Sequence, residues 1–325
     1  MFAKLGKKTP ISVELNDYIF RLLIKDPSAQ GDYSIYESAI EEGLIHNGEI
    51  LNELALFEHI KSTLGEWGMK KLPVNFFVPD PFVLMRPIDV PTDLRSGSLL
   101  GFIQMEVGHS IHLPFDNPVL DIHDANSDDG KAVLYAAPAQ DVRRIASLYD
   151  DASLEPEIAD VRMLANARFL LQSGVLVQGK TVLVADWIHN GVSIGIFGGD
   201  ELEFLRFQEI QAPLADWKVE SETDQLVTFS YIGDEMDYKN QLIDQVLEIG
   251  RIINFYQFSL HKGEKTVDEI VLMGDNPELR YIQEQLQEAQ GQAITVIDNS
   301  FVNRSYPGLF GRHAALIGLS LKGEE

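Results

Sequence analysis

Cysteine is absent from the 325 residues, which excludes disulfides, thiolate catalysis and cysteine-ligated zinc. Long apolar runs are missing too. No window approaches the ~18 residues needed to span a bilayer, and the opening Met1-Phe-Ala-Lys-Leu-Gly-Lys-Lys8 lacks the apolar centre of a secretion signal. A soluble cytoplasmic protein without direct membrane insertion is the expectation. Positive charge is scarce: 26 basic against 50 acidic residues leave a formal charge of −24, which argues against a nucleic-acid or anionic-membrane surface. Lys4, Lys7 and Lys8 form the one early basic cluster and read as a short solvated tail. There is no Gly-x-x-x-x-Gly-Lys-Ser/Thr loop and no Gly-x-Gly-x-x-Gly after a strand, so P-loop and Rossmann chemistry are unsupported.

What is present is a folded composition, 45% apolar and 23% charged, on a chain long enough for two domains or one elaborated two-lobed unit. Two stretches follow one plan. Pro10–Asn16, Asp17–Lys25 and Asp32–Ile40 read as three strands in a meander, with a turn at Pro27 to Gly31. Thr181–Ile188, Val192–Phe197 and Glu201–Phe207 repeat it, punctuated by His189-Asn-Gly191 and Gly198-Gly-Asp200. A duplicated sheet implies two lobes with a tight first turn from each facing the cleft, the arrangement by which actin and hexokinase type folds hold a nucleotide.

Between the meanders, Leu51, Leu54, Phe57, Ile60, Leu64 and Trp67 space a helix over 50–67. Pro73–Pro79 reads as a buried strand and Phe82–Val90 as an extended segment. Leu99 to Ile111 reads as a helix capped by Thr92 or Asp93. Val119–His123 and Ala132–Ala137 form a hairpin, Gln140–Leu148 a helix, Glu155–Val161 a strand and Met163–Leu171 a helix. Beyond the second meander, 213–231 is mixed and acidic. A long helix over 237–261, a strand at 269–273, a helix at 278–290 and a strand at 293–298 complete the pass.

Gly191-Val-Ser-Ile-Gly195 matches a hydrolase elbow, but it lies in a strand with no helix after it. His109, His112, Asp121, His123 and Asp124 are grouped in sequence as metal ligands would be, yet spread over a helix end and a strand, and read as exposed polar residues. The stronger candidates are the turns aimed at the cleft: Glu14-Leu-Asn16 with Asp17, Asp186 to Gly191 including His189 and Asn190, and Gly274-Asp275. Phosphates are cradled by backbone N–H groups, which calls for glycine where the chain must approach them. Ordinary hairpin turns in a retired nucleotide cleft are the competing account.

Glu42-Gly-Leu-Ile-His-Asn-Gly-Glu-Ile50, Arg86-Pro-Ile-Asp-Val-Pro91, Gln104–Phe115 followed by Val119-Leu-Asp121, Leu134-Tyr-Ala-Ala137, Leu154–Val161 and Ala314–Leu321 follow one another along the chain. Together they resemble the PilM family, the actin-like proteins of type IV pilus assembly, and more distantly FtsA and the cytoplasmic part of GspL. The resemblance covers nearly the whole chain in order. It implies an actin-like (ribonuclease H-like) two-lobed duplicated α/β fold with a subdomain inserted in the first lobe. The boundaries it suggests are 1–91 and 151–178 for the first lobe, 92–150 for the insertion, 179–212 and 266–325 for the second lobe, and 213–265 for its smaller subdomain.

For ligands the resemblance implies ATP and Mg²⁺. This chain departs from the family at that pocket: Glu14-Leu-Asn16 and Asp186-Trp-Ile188 stand where the family has Asp-Ile-Gly, and Gly274-Asp275 where it has Gly-Gly. Three lost glycines weigh against ATP binding and, with no base evident, more heavily against catalysis. Glu14 and Asp186 keep the family's charge and argue for an ATP-binding switch. For partners, the resemblance implies other pilus assembly proteins and the N-terminal cytoplasmic peptide of a PilN-like inner-membrane protein. That peptide would lie in a groove between the first lobe and its insertion, bordered by the Phe76–Val90 strands and the Leu99–Ile111 helix, with pockets from Phe82, Leu84 and Met85 and with Arg86 as a further contact. The protein would then be recruited to the inner face of the membrane as a scaffold.

Overall fold

The computed structural model describes residues 9–26, 33–91, 96–124, 129–223 and 226–323. The first meander forms β1 (Ile11–Leu15), β2 (Ile19–Lys25) and β3 (Tyr33–Ala39), antiparallel in sequence order. A small hairpin, β4 (Ile45–His46) and β5 (Glu49–Ile50), leads into α1 (Glu53–Glu66). The Asn52 side chain accepts from the Ala55 N–H and so satisfies a free donor at the helix start. Leu56, Ile60 and Leu64 form the buried face of α1, whereas Leu51 and Leu54, which fit the same spacing, are exposed. β6 (Pro73–Val78) lies parallel to β1 and is buried along its whole length, Asn75 included, as a strand covered on both faces must be.

The chain then leaves the sheet. β7 (Leu84–Asp89), α2 (Ser96–Glu106), β8 (Pro118–His123) and β9 (Lys131–Pro138) make a separate antiparallel sheet in the order β7-β9-β8. Ile88, Leu99, Ile103, Ile111 and Leu134 form its small core. α2 stops at Glu106, five residues short of the expected Ile111, because the chain turns through Gly108 at a φ of 87°. The expected caps Thr92 and Asp93 lie outside the described residues. α3 (Ala139–Asp151) returns to the lobe, where Ile145, Leu148 and Tyr149 pack with Val13, Val74 and Phe76. β10 (Glu155–Val161) adds to β6 in parallel, and α4 (Arg162–Gln172) crosses to the second lobe.

The second lobe repeats the plan with β11 (Thr181–Ile188), β12 (Gly191–Gly198) and β13 (Glu201–Glu209). The acidic segment after β13 holds a hairpin, β14 (Trp217–Thr223) and β15 (Leu226–Tyr231). α5 (Glu235–Asn254) follows, capped by Asp234, and gives way to a widened π turn at Phe255–Leu260 rather than continuing as α-helix to 261. β16 (Glu269–Gly274), α6 (Leu279–Ala289), β17 (Ala293–Val296), α7 (Asn299–Ser305) and α8 (Ala314–Ser320) close the chain. The sheets run β3-β2-β1-β6-β10 and β13-β12-β11-β16-β17, the same order twice. The duplication expected from the two meanders is therefore a duplication of whole sheets.

One hydrophobic core runs between the sheets. It joins Leu23 and Ile35 of the first lobe to Val182, Val184 and Val271 of the second through Met163, Phe169 and Leu170 of α4 and the apolar run of α8. The two helices touch closely enough that a Cβ on Gly318 would collide with the Ala165 carbonyl. The lobes are thus wedged together by their own helices.

Candidate functional site

The first turn of each meander reaches the space between the lobes. At β1–β2, the Asn16 side chain accepts from the N–H groups of Tyr18 and Ile19 at 3.2 and 3.0 Å, a local turn that commits both donors. Asp17 accepts from the Asn47 and Gly48 N–H groups at 2.6 and 3.0 Å, and from Asn190 of the opposing lobe at 2.9 Å. Gly274 faces Trp187 across the β11–β16 pair with a φ of 115°, and a Cβ there would collide with the Trp187 carbonyl. Glycine is therefore needed at 274 for packing of the strand ends, independently of any ligand.

Two arginines that the sequence reading did not single out dominate the interior. Arg21, 1% exposed, donates to Glu14 at 3.1 Å, Glu37 at 2.8 Å and Asp275 at 2.8 Å. Arg162 donates to Glu14 at 2.5 Å and Asp186 at 2.7 Å, and Asn166 adds 2.7 Å to the same Asp186 oxygen. Asp275 also accepts from Tyr18 at 2.7 Å. Glu37 collects Arg312 at 3.1 Å, His313 at 2.9 Å and the Val227 N–H at 2.8 Å. Because His313 Nδ1 accepts from the Phe310 N–H, its proton is on Nε2, which donates to Glu37. Every one of these nodes ties residues of the first lobe to residues of the second.

Burial alone would lower the pKa of a guanidinium, yet both arginines are held well above their ordinary value, Arg21 by Glu14, Asp275 and Glu37, Arg162 by Asp186, Glu14 and Asp80. Burial opposes ionisation of Glu37, but Arg21 and His313 hold its carboxyl well below the carboxylate range. Asp80 goes the other way: desolvation pushes it up to about 6 against the pull of Arg162, with Asp186 adding to the rise. Burial pushes His189 down to about 4, so it is a neutral ring, packed edge-on against Tyr18 and Trp217 with centroids 4.1 and 4.3 Å away.

The sequence candidates Glu14, Asn16, Asp17, Asp186, His189, Asn190, Gly274 and Asp275 thus converge, while Gly191 lies beneath the Phe207 ring. Arg21, Arg162, Glu37, Arg312 and Tyr18 were missed. The available signal was a charged residue in the apolar strand Ile19-Phe-Arg-Leu-Leu-Ile24. Beside Gly274, a cavity of about 940 Å³ extends over Arg280, Gln283, Asp298 and Arg312. Ser193 is buried inside β12, with no elbow. His109, His112, Asp121 and His123 are exposed, and among the described residues no three His, Asp or Glu are placed to hold a metal.

Residues 25–210 match the family model of the type IV pilus assembly protein PilM. The chain belongs to that family. No curated protein matches the sequence. Among solved structures, the PilM–PilN type IV pilus biogenesis complex aligns at a TM-score of 0.75 with 18% identity, covering 98% of this chain and 100% of that one. The ethanolamine utilization protein EutJ from Carboxydothermus hydrogenoformans aligns at 0.55 with 10% identity, covering 97% and 89%. With the duplicated sheet order, these likenesses make the fold the actin-like two-lobed α/β fold.

In this PilM-family chain a groove of about 200 Å³ separates the inserted sheet from the first lobe. Val78, Val83, Val119, Leu120, Val161 and Leu164 give it apolar walls, and Asp121 and Lys322 sit among them. Phe82, Leu84, Met85 and Arg86 do not line it. Phe82 packs on Val78, Ala137 and Val142, Met85 against the interlobe core, and Arg86 donates to the His112 carbonyl at 3.1 Å. Of the stretch 82–86 only Val83, at the end of the 3-10 turn before β7, lines the groove.

Proposed function

We propose that this chain is a cytoplasmic scaffold of type IV pilus assembly, or of a related competence or secretion system, with a degenerate nucleotide cleft. Its partner would be the N-terminal cytoplasmic peptide of a PilN-like inner-membrane protein, which would recruit it to the membrane. The observation that carries the reading is the Arg21–Arg162 network. Where a phosphate chain would need free N–H groups and open space, the donors of the first turn are bound to Asn16, and the guanidinium groups are already ligated by Glu14, Asp186 and Asp275. A triphosphate would have to displace carboxylates from both arginines, so these residues do not fit a phosphate chain with its Mg²⁺.

The inserted unit is best drawn from Leu84 to Pro138, because β7 pairs with β9 while α3 packs in the first-lobe core. The peptide site is then the groove between them, with Val83, Val119, Leu120, Val161 and Leu164 as its apolar contacts and an extended apolar segment as its occupant. The relative solved with PilN supports this assignment of partner. A second reading, an ATP-binding switch, is favoured by the cavity beside Gly274, which has room for a nucleoside.

Titration calorimetry with the peptide and with Mg-ATP separates them. The scaffold reading expects peptide binding that is lost in Leu120→Asp and no heat with ATP. Micromolar ATP binding abolished by Asp186→Ala would instead establish the switch.

A further inference from the structure

Five apolar side chains stand in a row on the solvent side of α5 and the π turn that continues it, the longest helix among the described residues. Met236, Leu247, Phe255 and Phe258 are 71, 49, 48 and 62% exposed, and Ile243 between them is half-buried. The opposite face belongs to the core of the second lobe, where Leu242, Val246, Ile249 and Ile253 pack. The helix is therefore apolar on two sides and covered on one. Scattered exposed leucines are ordinary, whereas a contiguous row at helical steps of three and four is the seam by which one helix meets another. Its far end is pinned to β13. Glu203 accepts from the Tyr256 hydroxyl and from Lys265, both at 2.6 Å, and lies 3.0 Å from His261 Nε2.

The row is symmetric about Leu247. Met236 and Phe258 lie eleven residues to either side of it, and Asn240 and Asn254 seven. The exposed acids Glu235, Asp237 and Asp244 come before Leu247, and the exposed bases Arg251 and Lys262 come after. Glu248 is shared by Arg251 at 2.9 Å and Arg206 at 3.2 Å, which leaves that cluster net positive. Turned end for end, the row matches itself: Met236 falls on Phe258, Asn240 on Asn254, and Asp244 beside Arg251. A parallel pairing would set like charge against like. Elsewhere a chain of net charge −24 repels its own copies, so a face of balanced charge is where two of them can meet.

We propose that the outer face of α5 binds a second copy of this chain, antiparallel about Leu247, in a two-fold dimer whose protomers give and receive the same contacts. The row spans roughly 30 Å at about 1.5 Å per residue. None of its residues lines the groove or the cavity beside Gly274, so the dimer leaves both open.

Sedimentation velocity of the full chain from about 1 to 100 µM is expected to show a monomer–dimer equilibrium. Asp244→Arg and Arg251→Asp each weaken the dimer by roughly tenfold or more, because each sets like charges together twice across the axis. Mixed in equal amounts, those two variants form a heterodimer of wild-type strength, since unlike charges then face each other at both places. With no native cysteine to interfere, Leu247→Cys is joined to its own copy by a short bis-maleimide, whereas Met236→Cys is joined only when mixed with Phe258→Cys. These side chains are all on the surface, so the variants should unfold at the wild-type temperature.

A wild type that stays monomeric throughout this range overturns the proposal and leaves the row to a different partner. A dimer that survives both charge reversals overturns it by placing the contact on another face. Reversals that do not restore each other on mixing overturn the antiparallel register and the proposal with it.

Discussion

Arg21 shows what a single residue does to this cleft. In the middle of an apolar strand it would cost several kcal/mol to bury unpaired, and three carboxylates from two lobes compensate. The arrangement contributes closure and geometry more than net stability, since a buried ion pair roughly offsets its own desolvation. Removing one partner is another matter: Arg21→Ala leaves Glu14, Glu37 and Asp275 crowded together, and a loss of about 3–5 kcal/mol in chemical denaturation is expected.

Asp80 behaves oppositely. Its value of about 6 lies above the ordinary 3.8, so the folded state binds the proton more tightly than the unfolded chain and ionised Asp80 destabilises the fold above that pH. Asp80→Asn should therefore stabilise the protein at pH 7.5 by roughly 1–2 kcal/mol after screening, a benefit that fades as pH falls from 6 towards 4. Denaturation midpoints of the two proteins at pH 7.5 and 4.5 check it, and a pH-independent gain would refute the assignment.

Among the elements, α8 and the β14–β15 hairpin decide how the lobes meet. Ala314 to Leu319 are all buried, a helix apolar on every side because sheet and helix surround it. Gly318 allows the α4 backbone to approach, and Gly318→Val is expected to cost about 1–3 kcal/mol through overpacking, measured as a lowered Tm, whereas Ser320→Ala at the helix end should be near neutral. The hairpin closes over the first lobe where the Val227 N–H meets Glu37 on the edge strand β3. Phe229 and Trp217 bring their rings to the Tyr18–His189 pair, adding an aromatic contact to the ionic one.

For the whole molecule, closure through buried ion pairs makes the join between the lobes sensitive to acid. Glu37 and Asp275 are both held below their ordinary values, in opposition to their burial, principally by Arg21. Their contribution is complete above the ordinary carboxylate range and is lost as pH falls below about 4.5 towards their folded values. Thermal melts from pH 7 to pH 3 should show this decline, and Glu37→Gln should flatten it while lowering stability at pH 7. An unchanged pH slope in Glu37→Gln would mean that other groups govern the acid response. Elsewhere the net charge of −24 acts in the opposite direction, as a general repulsion that mild acid relieves, so the two effects have opposite slopes and can be separated.

Much of this architecture was legible in the chain because its signals are local. Alternation and turn chemistry at Asn16-Asp17 and His189-Asn190 mark the two meanders, the duplication follows, and the three cleft turns are where the sequence places them. The hairpin at 217–231 was not legible, since β15, half-buried along its whole length, has weak alternation, and neither was the early end of α2 at Gly108. Arg162 and Glu14 are 2.5 Å apart but separated by 147 residues of sequence, and Arg21 and Asp275 by 253, so no periodicity could pair them. The sequence by itself determined the two meanders and the charge. Only the tertiary structure decided what occupies the space between the lobes, because that depends on which buried cations the two lobes bring against the same carboxylates.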